Sequence, residues 1–117
     1  MSLLNIFGGG ILIPQVGATE AVPGTTIVED GGTYVLNDVT GMASPQIQLF
    51  AAEGGERVVM SNRAGTTSTW EAIPATGQRI NGLAVDEALV LDVPNVAFEL
   101  IYTGDADLGW QIVSINT

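Results

Sequence analysis

The segment TGDADLG at 103–109 sets Asp105 and Asp107 two residues apart with glycine on either side, an alternation by which some calcium loops present carboxylate oxygens. It lacks the further ligands and the distal bidentate glutamate of an EF-hand loop, and Asp and Gly are favoured in turns for backbone geometry alone. The expectation is a hairpin turn with solvated acids, and a weak calcium site is the chemical alternative. A second candidate is Trp70 beside Glu71 in STWEAI, with Trp110 as a further ring. A ring to stack on a sugar and an acid to hydrogen-bond it would make a carbohydrate- or receptor-binding face. The plainer role is that of a tryptophan at the start of a strand plugging one end of a β core. Glu29/Asp30 and Asp86/Glu87 are chain neighbours in or beside turns. Neighbours on a strand point to opposite faces, so their spacing makes no catalytic dyad.

The rest of the catalytic repertoire is missing. The 117 residues include no cysteine, no histidine and no lysine, and the cations are Arg57, Arg63 and Arg79. That removes disulfides, thiolate zinc sites, cysteine nucleophiles, the commonest general base and the Ser-His-Asp and Ser-Lys arrangements. The three glycines of IFGGGI have no Gly-Lys-Ser/Thr ending, so they are no phosphate loop. No catalytic, metal or cofactor-binding residue is expected. Thirteen acids bring the net charge to -10, which disfavours nucleic acid and anionic membrane surfaces as partners. Yet only 14% of residues are charged and 46% are hydrophobic, the opposite of a disordered acidic tail. The acids therefore decorate a folded, apolar-rich object, much of whose surface faces other protein.

The elements that carry these residues read as strands. Glycine or proline interrupts every stretch long enough for a helix, whereas PQIQLFA, ERVVMSN and AFELIY alternate with period two. Further strand candidates are TTIVE (25–29), TYVLN (33–37), STWEAI (68–73), LAVD (83–86), ALVLDV (88–93) and WQIVSI (110–115). Turn signals such as EDGG, AEGGE, NRAGTT, DVPN and TGDADLG separate them. The expected fold is an all-β, antiparallel β-sandwich of about eight or nine strands over 25–117. An extended N-terminal arm and linker over 1–24 precedes it.

The arm opens MSLLNIFGGGILIP. It has no Lys or Arg, and three glycines split its apolar part, so both supports of a secretory signal are lacking. Leu3, Leu4, Ile6, Phe7, Ile11, Leu12 and Ile13 are seven large apolar side chains joined by a hinge of Gly8, Gly9 and Gly10. Such a segment either adds a strand to its own sheet or docks on another subunit or protein. The dozen linker-like residues before the first clear strand favour docking.

Taken together, GGTYVLNDVTG, GGERVVMSNRAGTTSTWEAI and INGLAVDEALVLDVPNVAFELIYTGDADLGWQIVSI resemble a β-rich module common in tailed-phage virion proteins. These include head decoration or cement proteins, head fibres and pieces of tail fibres. The closing hairpin pattern is carried by Phe98, Leu100, Tyr102, Gly104, Trp110 and Ile112. The likeness covers about residues 32–115 and brings no active site. It implies a jelly-roll-like sandwich and a homotrimer, located in the virion on the capsid surface. There the module would bind the major capsid protein and bridge or stabilise capsomers, with the arm in a groove of the shell. A glycan- or receptor-binding module of a head or tail fibre is the alternative that it implies.

Overall fold

In TYVL, RVVMSN, WEAI and the latter part of VAFELIY, buried and less buried positions alternate, as they must where one face of a sheet packs on a core. The structure, a computed structural model, describes residues 18–116. Its strands are β1 (Thr19–Glu20), β2 (Thr33–Leu36), β3 (Gln46–Gln48), β4 (Arg57–Asn62), β5 (Trp70–Ile73), β6 (Leu89–Leu91), β7 (Val96–Tyr102) and β8 (Trp110–Asn116). They form one sheet in the order β1-β2-β4-β7-β8 and a second in the order β3-β5-β6. Leu36, Met60 and Leu100 of the first sheet and Ile47, Trp70 and Leu91 of the second belong to one buried cluster. The all-β, two-sheet body is thus as the alternation predicts.

The strand directions differ from the expectation. Between β1 and β5 the chain alternates between the sheets, and each return lands parallel to the strand one winding earlier. Thr19 pairs with Tyr34 and Tyr34 with Met60 in one sheet; Thr26 bridges Gln48, which pairs with Ile73, in the other. The first half is a short, two-sided coil of parallel strands. Antiparallel pairing begins where β6 joins β5, β7 joins β4 and β8 joins β7. A period of two tells which face a side chain takes but not which way the neighbouring strand runs.

The domain also starts earlier than residue 25. Ala21 N donates to Val35 O and Gly24 N to Gln46 O, each at 2.8 Å, and Ala21 is in the core. A short extended segment flanked by proline serves as well for an edge strand as for a linker. Two expected strands are not ladders. TTIVE makes a single bridge through Thr26, although Ile27 is buried. LAVD is a turn region in which Asp86 has φ 66° and its carboxylate accepts from Gly77 N at 2.7 Å.

Asp38, just after β2, organises the crossing that leads into β5. Its Oδ1 accepts from Gly65, Thr66, Thr67 and Ser68 N at 3.2, 3.2, 3.0 and 2.9 Å. These amides, that of Thr67 foremost, hold the carboxyl far below the usual carboxylate range. A carboxyl whose folded pKa lies under its unfolded value stabilises the fold fully above the unfolded value and loses that contribution as pH falls. Asp38→Asn should therefore be less stable than the parent chain at neutral pH. In urea titrations the gap should close as pH falls below about 4, the unfolded value of an aspartate. A gap independent of pH would show that charge does not hold this loop.

Candidate functional site

Five strands face three, so the larger sheet overhangs the smaller at the β8 edge. At the start of β8 the overhang is covered: residues 79–81 bridge it, with Trp110 N donating to Arg79 O at 2.9 Å and Asn81 N to Trp110 O. Further along, the cover ends. Among the described residues, β8 beyond Trp110 pairs with β7 alone, and the far side of β6 is unpaired. Between these two free edges lies a groove of about 140 Å³, roughly ten times the ~10–15 Å³ that admits one water.

Its walls are apolar. Leu89, Leu91 and Val93 come from β6 and the turn after it, and Val96, Phe98 and Ile112 from β7 and β8. Asp92 is the one ionisable side chain of the lining. At the rim Val90 is 50% exposed and Val93 59%. Val113, 50% exposed, is a bulge residue: Leu100 pairs with Ile112 and Glu99 with Ser114, which leaves Val113 without a partner. Bulges at a sheet edge kink the strand and limit pairing with stray strands.

The groove is fixed in place by Asn62, a buried polar residue of β4. Its Nδ2 donates to Leu91 O at 3.2 Å and Val93 O at 2.8 Å, and its Oδ1 accepts from Ala64 N at 3.2 Å. These bonds tie the large sheet to the backbone of the β6 wall and leave the amide satisfied, as a buried polar group requires. None of the acids described is buried, so a nearly neutral apolar slot opens on a strongly acidic body.

The residues singled out by sequence fare differently. Leu3, Leu4, Ile6, Phe7, Gly8, Gly9, Gly10, Ile11, Leu12 and Ile13 lie outside the described residues. Trp70 and Trp110 are fully buried, so the expected stacking face is corrected: neither ring is open to a sugar. The Trp70 indole donates to Asn37 O at 2.8 Å. Trp110 packs edge-on against Phe50 and Tyr102 with centroids 5.5 Å away in each case. Large rings bury too much area to stay outside when a core is within reach. Glu71 points away from its buried neighbour and accepts from Gln46 Nε2 at 2.9 Å, a cross-strand surface pair. Asp105 caps its own turn, its Oδ1 accepting from Asp107 N at 2.8 Å. Among the described residues, no three carboxylates gather as a metal set.

The groove itself was not read from the sequence. Its signal was ALVLDV, where apolar residues fill both faces of a short strand instead of alternating with polar ones. No protein-family model matches this chain, and no curated protein is similar enough to it to count as a relative.

Proposed function

We propose that this chain is a non-enzymatic structural protein of a virion, a decoration or cement module that binds the outer surface of a phage head and bridges or stabilises capsomers. The observation that carries this reading is the apolar groove between two free strand edges of an acidic all-β body. A partner that fills such a groove removes apolar surface from water, worth about 25 cal/mol per Å². Docking many copies on a repeating shell multiplies modest contacts. The exposed acids then face solvent and keep particles apart by like charge. The sequence resemblance to virion modules points the same way and adds the homotrimer and the major capsid protein as partner.

Immunogold electron microscopy tests this on particles of the virus that encodes the chain, with an antibody raised against residues 19–116. Gold on the heads is the expected result. Unlabelled particles from a lysate that contains the soluble protein would overturn the reading.

A further inference from the structure

We propose that the groove between β6 and β8 receives residues 3–13 of a second copy of this chain, so that each copy is tied to the next by its N-terminal segment. This rests on the same groove as the virion reading and gives it a different occupant, so that copies joined to one another, rather than the groove wall itself, would span capsomers.

Chemistry matches segment to groove. No side chain in residues 1–19 is charged, and no other run of the sequence this long is free of charged side chains. Copies of a chain with net charge -10 repel one another unless the contact itself is neutral, and the groove, Asp92 apart, is neutral and apolar. Leu4 and Ile6 fall on one side of an extended segment and Leu3 and Phe7 on the other. An added strand gains affinity from the backbone of a free edge and specificity from pockets for alternate side chains. Here the unpaired side of β6, clear of the bulge at Val113, supplies the edge and the groove supplies the pocket.

Direction favours a neighbour's segment over the chain's own. β1 runs parallel to β2 and β4, and β8 runs parallel to β4 through the antiparallel β7. The chain therefore arrives at Thr19 from the Trp110 end of the sheet, at the edge opposite β8. The groove opens at the other end, beside Val96 and Phe98. To fill its own groove, a copy's segment would have to turn back and cross four strand spacings, about 19 Å of sheet. A neighbour's segment needs neither step. Thr19, where the segment joins the body, and the groove lie at different edges of the sheet, so the contact is head-to-tail and repeats from copy to copy until a ring closes.

The absence of native cysteine makes the test direct. Full-length Ile6→Cys mixed with full-length Val93→Cys should give a disulfide-linked pair of chains under mild oxidation. Ile6→Cys mixed with Val28→Cys, at an exposed site on the β1 side, should give none. In light scattering, the double variant Ile6→Asp/Leu12→Asp should lose the assembled mass and run as a single chain, with the circular dichroism of the parent. Three results would overturn the proposal: a parent chain that is already monomeric, an arm variant that keeps its assembled mass, or a link that forms only within a chain carrying both Ile6→Cys and Val93→Cys. Unlabelled virus particles would remove the virion reading and leave the exchange standing, whereas an assembled arm variant would do the reverse.

Discussion

Trp110→Ala should lose about 3 to 5 kcal/mol of unfolding free energy, the range for truncating a buried tryptophan. Small domains are stable by only about 5 to 15 kcal/mol, so this variant stands close to unfolding at 37 °C. The ring is fully buried and makes edge contacts with Phe50 and Tyr102 at interplanar angles of 85° and 73°. Such pairs add about 0.5 to 1.5 kcal/mol beyond the area buried. One term opposes the loss: the buried Nε1 of Trp110 has no hydrogen-bond partner among the described residues, and an orphaned donor costs free energy. Trp110→Phe removes that donor while keeping a ring, and should therefore lose much less than Trp110→Ala. Urea titration reads both, with Trp70 as the remaining indole reporter. A loss below about 0.5 kcal/mol for Trp110→Ala, within the scatter of surface substitutions, would place the ring outside the core.

The fate of the tryptophans shows what was legible in the sequence. Period-two alternation locates strands in PQIQLFA, ERVVMSN and AFELIY because burial on one face leaves its mark on every second residue, and TYVLN and STWEAI, set off by turn signals, also hold strands. For Trp70 in STWEAI the strand alone leaves two faces open, and nothing in the segment tells which of them is core. The pairing of β2 with β4 lies deeper still. Residues that touch there are 26 apart, as Tyr34 and Met60 show, and short turns that look like hairpins in sequence instead carry the chain across to the other sheet. The groove depends on that topology as well. Val93 is exposed at the rim where five strands overhang three, a mismatch that no single segment encodes, whereas Val90 faces outward beside Glu71 and Val113 stands in the β8 bulge. Asn62 gave no signal beyond an ordinary polar residue at a strand end, and its role appears only where the backbone of residues 91–93 arrives beside it.

Gly109→Ala should cost about 2 to 5 kcal/mol by a different route, through the backbone. Gly109 has φ 67°, where a residue with a Cβ is strained by roughly 1 to 2 kcal/mol. A Cβ there would also run into the backbone carbonyl of Arg79, and overpacking of this kind adds about 1 to 3 kcal/mol. That carbonyl accepts from Trp110 N, so the clash falls on the bridge that covers the start of β8. Gly77→Ala separates the two terms. Its φ is 84°, but nothing lies within 4 Å of the added methyl, so it should show the conformational cost alone. The difference between the two variants in urea titration then measures the contact with Arg79, and hydrogen exchange at the amides of Asn81 and Trp110 should rise in Gly109→Ala only. Equal losses in both variants would mean that the 79–81 strap yields without resistance and that the covered end of β8 is as open as its groove end.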